Sequence, residues 1–315
     1  MTNLTRNPAE YESRFPLKGY LLMVGTAFFT ALSYATGKYL NTGGLNLDPV
    51  STTFFWFAGA FVTAFFVSAL IPSQRKEIMN FRKYAKILLL ISAFTSVGAV
   101  LWVKSLWIIG PALTSFLMKS QTLFSLVLGI FFLREKINRG EAIGIALTVA
   151  GGTVVAYHKD SYLLFGVAIV LLAALCYSMV TFWVRKFAAG TRLNMFTVAT
   201  LRTFGVSLIL LTYLIASGTI EIPGTREILL MAAGGTFGAY IAKGCQFYSL
   251  KLLDLSRSTA VMPLESLFVV LLSLVFFDSV PPTAKLIGGA CVLAGVVFLV
   301  IFREQKRGAE TIMGK

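Results

Sequence analysis

Long apolar runs separated by short polar stretches are the dominant pattern of this 315-residue chain. Each run contains 18 to 25 residues, and a helix needs about 20 apolar residues to cross a bilayer. We number these runs as segments 1 to 10, at 19–37, 52–71, 85–109, 112–133, 140–157, 162–184, 195–217, 227–250, 258–277 and 284–302. The pattern predicts an all-α membrane protein with ten transmembrane helices.

Composition and charge distribution support a membrane location. Hydrophobic residues make up 57% of the chain and charged residues only 13%, against about 45–50% and about 25% in soluble domains. If the N-terminus is cytoplasmic, 20 of the 28 Lys and Arg residues fall on the cytoplasmic side, and only Lys159, Arg226 and Lys285 on the other. Because short basic loops stay inside, we predict a multi-pass inner (plasma) membrane protein with cytoplasmic N- and C-termini. The net charge of +14 is then a topology signal, and no nucleic-acid binding is expected.

A faint internal repeat relates the two halves of the chain. At an offset of 144 residues, 110–157 aligns with 254–301 without a gap, and 10 of the 48 positions are identical, including Gly144/Gly288 and Gly151/Gly295. ALSYA at 31–35 also resembles ALCYS at 174–178. Because each repeat has an odd number of segments, the second must be inverted in the membrane, an architecture typical of secondary transporters. The predicted parts are a tail at 1–18, a first repeat at 19–158, a second repeat at 162–302 and a basic tail at 303–315.

The aligned stretches resemble the EamA-like family of the drug/metabolite transporter (DMT) superfamily. They read GPALTSFLMKSQTLFSLVLGIFFLREKINRGEAIGIALTVAGG at 110–152 and LSRSTAVMPLESLFVVLLSLVFFDSVPPTAKLIGGACVLAGV at 255–296. Leu133–Arg134–Glu135–Lys136 is similar to the family's loop, whereas the second half departs from it with Phe277–Asp278–Ser279. The resemblance implies two inverted five-helix repeats around a central cavity lined by segments 1–4 and 6–9. Segments 5 and 10 would lie at the periphery.

Ionisable residues deep inside the segments are the leading candidates for function. Such a group costs at least about 2.5–3.5 kcal/mol at the bilayer centre, so it normally faces a watery cavity or a partner. Four deep cations accompany one deep carboxylate, Glu265, and leave an excess charge of +3 that an anionic substrate would balance. Gln246 and Tyr240 share a helical face with Lys243. The predicted substrate-binding residues are Lys243, Arg202, Lys119, Lys104, Gln246, Gln121 and Tyr240.

Glu265 is the predicted proton-coupling residue. It lies near the centre of segment 9, two residues after Pro263, which is expected to kink that helix. Its repeat counterpart is Gln121, so both side chains should approach one region. There are two alternative roles for Glu265. It could bind a substrate cation, or it could form a static salt bridge to Arg202, Lys119 or Lys243. Because Lys119 and Gln121 are about 200° apart on an α-helix, we expect that they do not both point to the centre of one cavity.

Aromatic and small residues allow two interpretations. Tyr34, Trp56, Trp102, Tyr177 and Tyr248 line the predicted cavity, or they serve as packing and interface anchors. The Gly234–Gly235 pair and Gly238 in segment 8 favour close helix packing. The alternative for these glycines is a hinge of the kind found in broken transporter helices.

Enzyme activity is not expected from this sequence. His158 is the only histidine, no phosphate-binding glycine loop is present, and no cofactor or metal site is expected. We predict a secondary active transporter, proton- or exchange-coupled, that moves a small polar metabolite by alternating access. An organic anion is the favoured substrate; an amino-acid or other zwitterion exporter and a flippase for a phosphate-bearing lipid are the alternatives. The expected partners are a small-molecule substrate and the lipid bilayer, and a homodimer is compatible with the sequence.

Overall fold

Helices account for almost all of the described chain. The computed structural model describes residues 16–42, 48–133, 139–156, 161–190, 193–252, 261–278 and 281–313. Its helices are α1 (Pro16–Thr42), α2 (Pro49–Leu70), α3 (Pro72–Met79), α4 (Ala85–Met118), α5 (Ser120–Leu133), α6 (Arg139–Ala156), α7 (Ser161–Gly190), α8 (Met195–Ser217), α9 (Thr225–Gly235), α10 (Lys243–Leu252), α11 (Pro263–Phe277) and α12 (Thr283–Met313). A 3₁₀ turn precedes α4, and a π-helix at Thr236–Ala242 joins α9 to α10. The predicted all-α class is confirmed for these residues, whereas the loop at 134–136 and most of the repeat junction lie outside them.

Many of the described helices are apolar and long enough to cross a membrane. Six reach that length, at Leu17–Leu40, Pro49–Leu70, Phe81–Met118, Leu164–Val184, Met195–Ser217 and Thr225–Leu252. Three shorter apolar helices lie at Ala142–Gly151, Leu264–Phe277 and Leu286–Phe298. Bulky apolar side chains such as Phe66, Leu229 and Val275 are exposed on the outside of the bundle, where a lipid environment would accommodate them.

Helix α4 is interrupted at Gly110. Its φ of 77° and ψ of 169° lie outside the helical region, in a conformation that glycine adopts readily, and Pro111 follows. Trp102 and Lys119, on opposite sides of this point, line the same cavity, although a continuous helix would separate them by about 25 Å. The chain therefore reverses direction at Gly110, between predicted segments 3 and 4.

Helices α2 and α8 pack antiparallel to one another. The hydroxyl oxygens of Ser68 and Thr200 are 3.0 Å apart, and the hydroxyl of Ser51 lies 3.5 Å from the carbonyl oxygen of Thr219. Residue numbers thus rise along α2 as they fall along α8. These helices correspond to segments 2 and 7, which hold equivalent places in the two sequence repeats.

Glycines allow α6 and α12 to pack with their backbones in contact. A Cβ atom on Gly151 would lie 2.6 Å from the carbonyl oxygen of Gly288, and one on Gly295 would lie 2.8 Å from the carbonyl oxygen of Gly144. Gly144 and Gly288 are repeat equivalents, as are Gly151 and Gly295. Gly151 therefore contacts Gly288, which is the repeat counterpart of Gly144. Gly295 contacts Gly144, which is the repeat counterpart of Gly288. Such close approach is how membrane helices gain van der Waals contact.

A turn occurs at nearly equivalent positions in the two repeats. A turn at Lys119 separates α4 from α5, and a turn at Met262 precedes α11. Pro263 starts α11 and Glu265 lies in its first turn. The expected kink within a continuous helix involves residues 253–260, which lie outside the described residues, so it stays a prediction. In the described part, Glu265 lies near the start of α11 and not at its centre. Proline fits the first helical position because no hydrogen bond from its nitrogen is needed there.

Candidate functional site

A central cavity of about 80 Å³ lies among the helices. Its described lining comes from elements corresponding to segments 1–4 and 6–9, and none of these described residues lies in α6 or α12. The lining residues are Thr26, Thr30, Ser33, Tyr34, Trp56, Phe57, Trp102, Met118, Lys119, Gln121, Thr122, Tyr177, Arg202, Gly238, Ala239, Lys243, Gln246, Met262 and Glu265.

The cavity carries an excess of positive charge. Lys119, Arg202 and Lys243 line it together with one carboxylate, Glu265, so its formal charge is +2. Lys104 does not line it; the Lys104 ammonium instead lies 5.4 Å from the centre of the Phe165 ring. The expected excess of +3 is therefore reduced by one. The position of a residue within an apolar segment indicates its depth in the membrane. It does not determine the direction in which the side chain points around the helix.

Lys119 and Glu265 form a buried ion pair. Lys119 Nζ lies 2.9 Å from Glu265 Oε1, and the two side chains are 4% and 11% exposed. Glu265 also lies in the first turn of α11, where the helix dipole favours a negative charge. Of the three salt-bridge partners proposed for Glu265, the structure selects Lys119.

Arg202 is fully buried in α8 and has no carboxylate partner among the described residues. One terminal nitrogen donates a 2.5 Å hydrogen bond to the carbonyl of Ala239, while Nε has no hydrogen-bond partner. The guanidinium carbon lies 5.7 Å from the ring centre of Phe57 and 5.8 Å from that of Phe247. Aromatic faces attract a cation, but they leave its positive charge without a counter-ion.

Lys243 is the second cavity cation without a carboxylate partner in the described chain. Its Nζ donates a 2.8 Å hydrogen bond to Gln246 Oε1 and lies 5.4 Å from the centre of the Tyr177 ring. The predicted common face of Lys243 and Gln246 thus forms part of the cavity wall.

The π-helix at Thr236–Ala242 positions this wall. Carbonyls in and beside it accept hydrogen bonds from other helices: Ser33 Oγ lies 2.7 Å from the Gly234 oxygen, Thr26 Oγ1 lies 3.2 Å from the Ala242 oxygen, and Arg202 donates to Ala239. π-Helical turns are rare and frequently occur at functional sites. Here the α1 and α8 side chains satisfy backbone groups that lipid could not.

The same π-helix explains why Tyr240 does not line the cavity. Its i→i+5 hydrogen bonding changes which residues share a face, so Tyr240 no longer aligns with Lys243. The Tyr240 ring instead packs edge-on against Phe196, with 5.9 Å between ring centres. The expected common face, based on regular α-helical spacing, is wrong at this residue.

The glycines of segment 8 lie both in a closely packed contact and beside an irregular part of the helix. A Cβ on Gly234 would lie 2.5 Å from the Trp56 ring, and one on Gly238 would collide with the side chain of Ser33. These positions are closely packed, and the π-helix begins directly after Gly235. Close packing and a local departure from α-helix therefore coincide.

Lys119 and Gln121 both line the cavity, but only Lys119 makes an ion pair there. The expectation that they do not both point to its centre stays a prediction. Gln121 Nε2 donates to Thr181 Oγ1 at 2.8 Å and to the Tyr177 carbonyl at 3.3 Å, so it links α5 to α7.

The aromatic candidates divide into two groups. Tyr34, Trp56, Trp102 and Tyr177 line the cavity, whereas the Tyr248 ring lies near the Lys18 ammonium, 5.3 Å from the ring centre.

Sequence reasoning missed the hydroxyl groups of α1. Thr26, Thr30 and Ser33 all line the cavity. Their i, i+4, i+7 spacing places them on one helical face. A polar stripe on an otherwise apolar membrane helix was the signal that could have identified them.

Comparison with known proteins agrees with this arrangement. The profile of the EamA-like transporter family matches twice, at residues 17–157 and 164–301. The chain belongs to the EamA-like transporter family. It is thus a multi-pass membrane transporter of the DMT superfamily with two EamA domains, and not an enzyme.

Individual relatives of this EamA-like transporter are more distant. A protein from Acidianus ambivalens described as "Uncharacterized transporter in sor 3'region" is 27% identical over 118 residues. That match covers 37% of this chain and 45% of the relative, so it spans less than half of that protein. A solved structure described as "Crystal structure of protein" has a TM-score of 0.62 and 15% identity, covering 90% of this chain and 98% of the other. This second likeness shows a shared fold alone.

Proposed function

We propose that this EamA-like transporter is a secondary active transporter that moves a small organic anion by alternating access. The observation that carries the proposal is the pair of cavity cations, Arg202 and Lys243, without a carboxylate partner among the described residues. Burying an unpaired charge is costly unless a partner compensates it. A bound anion would supply the missing negative charge, and binding would be strongest where water is excluded.

The Lys119–Glu265 ion pair favours an anion over a zwitterion. An amino acid would need a carboxylate for its ammonium group as well as a cation for its carboxylate. Glu265, the one carboxylate that lines the cavity in the described chain, already binds Lys119 at 2.9 Å. Arg202 and Lys243 remain available for a negatively charged group.

We propose ten membrane-spanning segments arranged as two inverted repeats. The structure has six long and three shorter apolar helices in its described residues. The longest of them reverses at Gly110 and therefore counts as two segments, which brings the total to ten. The antiparallel packing of α2 and α8, which are repeat equivalents, supports the inversion. The basic loops support cytoplasmic termini in the inner (plasma) membrane.

We also propose proton coupling through Glu265, and its ion pair with Lys119 supports this role. A proton taken up by Glu265 would neutralise the carboxylate and release Lys119, so the cavity charge would rise from +2 to +3. The proton and the anion would then each favour binding of the other, because such coupling is reciprocal.

Transport by the purified protein in liposomes tests this function. Uptake of labelled small carboxylates should exceed uptake of amino acids, and an imposed pH difference should drive it. Lys243→Met should reduce anion uptake about tenfold or more, whereas Lys104→Met, which removes a lysine outside the cavity, should leave it unchanged. Equal sensitivity to both substitutions, or a preference for amino acids, would contradict the proposal.

A further inference from the structure

The two repeats contribute unlike side chains to equivalent places in the cavity wall. The offset of 144 residues pairs Trp102 with Gln246. The residues that cap α2 and α8, Asp48 and Asn194, give an offset of 146, which pairs Trp56 with Arg202. All four of these paired residues line the cavity. The first repeat supplies a tryptophan at each place, and the second supplies an amide or a cation.

The aromatic side of the cavity is a continuous cluster of rings. The Trp102 ring centre lies 5.1 Å from that of Tyr34 and 5.9 Å from that of Trp56, both in edge-to-face geometry. Arg202 and Lys243 lie on elements of the other repeat. The ring cluster of Tyr34, Trp56 and Trp102 thus comes from the first half of the chain, and the two cations without a carboxylate partner come from the second half, while Lys119 and Tyr177 also line the cavity.

From this asymmetry we infer that the substrate is an aryl organic anion, an inference that rests on the proposed function. Its ring packs against the cluster of Tyr34, Trp56 and Trp102, where edge and face contacts between rings are favourable. Its anionic group lies between Arg202, whose Nε is an unused donor, and Lys243. The substrate carries no ammonium group, because Glu265 is bound to Lys119.

The size of the cavity restricts this substrate further. A water molecule needs about 10–15 Å³ on the same measure, so a cavity of about 80 Å³ holds roughly six waters. This space suits a single ring with a short chain and is too small for an acyl lipid.

Thermal stabilisation by three matched probes tests the aryl inference. 3-Phenylpropionate has the ring and the charge, hexanoate has the charge and a similar length without the ring, and L-phenylalanine adds an ammonium group. 3-Phenylpropionate should stabilise the purified full-length protein at about tenfold lower concentration than either other probe. Trp102→Leu should remove the preference over hexanoate but retain hexanoate binding, while Lys104→Met should change neither.

The outcomes separate the two levels of the proposal. If hexanoate stabilises as well as 3-phenylpropionate, the aryl inference fails while the anion transporter stands. If L-phenylalanine matches 3-phenylpropionate, the absence of an ammonium site is refuted. If no anion stabilises the protein or is transported, the proposed function itself fails. Should Trp102→Leu fold poorly, Trp56→Leu provides a second test of the same ring cluster.

A different observation concerns the two ends of the α2–α8 pair. At one end, the backbone N–H of Asp48 donates a 2.7 Å hydrogen bond to Glu221 Oε2. Asp48 also caps α2, since its Oδ2 accepts from the Val50 nitrogen at 3.0 Å. The Glu221 nitrogen in turn lies 3.4 Å from Ser51 Oγ. We call this contact latch A.

The other end repeats the arrangement with the two halves exchanged. The backbone N–H of Asn194 donates to both carboxylate oxygens of Glu77 at 3.1 Å. Asn194 caps α8 by accepting from the Phe196 nitrogen at 2.9 Å. Thr197 Oγ1 donates to Glu77 Oε2 at 2.6 Å. We call this contact latch B.

The latches are equivalent under the internal repeat. Asp48 and Ser51 correspond to Asn194 and Thr197 at an offset of 146, and Glu77 corresponds to Glu221 at an offset of 144. In each latch, a glutamate from one half binds the capped start of a helix in the other half. Helix α2 has 22 residues and spans about 33 Å, so the latches lie on opposite sides of the cavity.

We propose that latches A and B are the two gates of alternating access and that only one opens at a time. Both contacts are formed in this structure, and the cavity lies between them along α2. Opening latch A would separate Glu221 from α2 and admit solvent from that side while Glu77 still holds α8. This proposal does not depend on which substrate is carried.

Labelling of a cavity cysteine from each membrane face tests the gates. Thr30→Cys would be the reporter in a protein whose Cys176, Cys245 and Cys291 are replaced by alanine, treated with a membrane-impermeant maleimide. Glu221→Ala should raise labelling from the face of latch A about tenfold, and Glu77→Ala should do so from the opposite face. Glu227→Ala, which removes a nearby carboxylate outside the latch, should have no effect.

Two results would overturn the gate proposal. One is increased labelling from the same face in both latch variants, and the other is unchanged labelling in folded protein. If an alanine variant is unstable, Glu221→Asp and Glu77→Asp shorten the side chain while retaining its charge. Glu221→Asp should increase labelling from the face of latch A, and Glu77→Asp should increase it from the opposite face, each by less than the alanine variant does.

Discussion

Lys119 and Glu265 join the interrupted helix of one repeat to the equivalent helix of the other through a 2.9 Å ion pair. Lys119 occupies the turn between α4 and α5, and Glu265 lies in the first turn of α11. Because both side chains are buried, each charge depends on the other for compensation. Any change in the charge of Glu265 should therefore be transmitted to the opposite repeat.

Removing one member of this pair should destabilise the protein strongly. Lys119→Met leaves the Glu265 carboxylate buried without its cation, which costs about 3–5 kcal/mol in comparable cases. The fall in thermal midpoint of the detergent-purified protein measures this cost. The double variant Lys119→Met/Glu265→Gln should recover much of the loss, because no unpaired charge remains. A double variant as unstable as the sum of both single variants would show that the pair is not coupled.

Neutralising Glu265 should uncouple transport from protons. In Glu265→Gln the side chain keeps its size but can no longer release or accept a proton. Transport driven by an imposed pH difference should fall to the rate observed without one, while exchange of substrate between the two sides persists. The measurement is uptake into liposomes across a series of pH differences. Full rate with unchanged pH dependence would exclude Glu265 as the coupling site.

Crowding the α6–α12 contact should destabilise the protein. Gly151→Val places a side chain where a Cβ already meets the Gly288 oxygen and the Val292 nitrogen, both at 2.6 Å. Overpacking of this kind costs about 1–3 kcal/mol. Gly25→Ala is the matched control, because nothing lies within 4 Å of a Cβ at that position. A similar shift in midpoint for the two variants would contradict the contact.

The π-helix should depend on the hydroxyl of Ser33. Ser33→Ala removes the donor to the Gly234 carbonyl and leaves a buried acceptor with one bond fewer, at a cost of about 1–3 kcal/mol. Anion affinity should fall as well, because the wall that carries Lys243 loses support. Thr212→Ala, in which an exposed hydroxyl bonds its own helix, should change neither property. Melting and ligand titration of both variants provide the comparison.

The two ends of α2 should be accessible from opposite faces of the membrane. Ser73→Cys, beyond the end of α2, should react with an impermeant thiol reagent only from the cytoplasmic side. Ile222→Cys, in the exposed connection between α8 and α9, should react only from the other side. Labelling of both cysteines from one face would refute the inverted topology.

Hydropathy was sufficient to identify the helical class because a bilayer imposes a length and a composition on each helix. The alignment also identified Gly144 and Gly288, and Gly151 and Gly295, as repeat equivalents, because an alignment compares positions along the chain and needs no coordinates. The direction of each side chain around its helix did not follow. Lys104 and Lys119 have similar sequence surroundings, yet only Lys119 faces the cavity.

Local irregularities were the other feature beyond the reach of sequence. The turn at Lys119 has no proline or glycine of its own, so the sequence did not indicate that α4 ends and α5 begins there. The π-helix depends on donors from Ser33, Thr26 and Arg202, which lie far away along the chain. Such features are set by tertiary contacts, and these contacts also shape the cavity.

The contact between α6 and α12 has a consequence for the origin of the chain. Gly151 meets Gly288, while Gly144 meets Gly295, and each residue of one pair is the sequence counterpart of a residue in the other. In a twofold homodimer, residue i of one copy contacts residue j of the other, and residue j of the first copy contacts residue i of the second. The α6–α12 contact has this self-complementary pattern, with the two halves of the chain in place of the two copies. Two separate copies of a single half, inserted in opposite orientations, could make this contact without any link between them. Gene fusion would then have preserved an interface that already existed between two molecules.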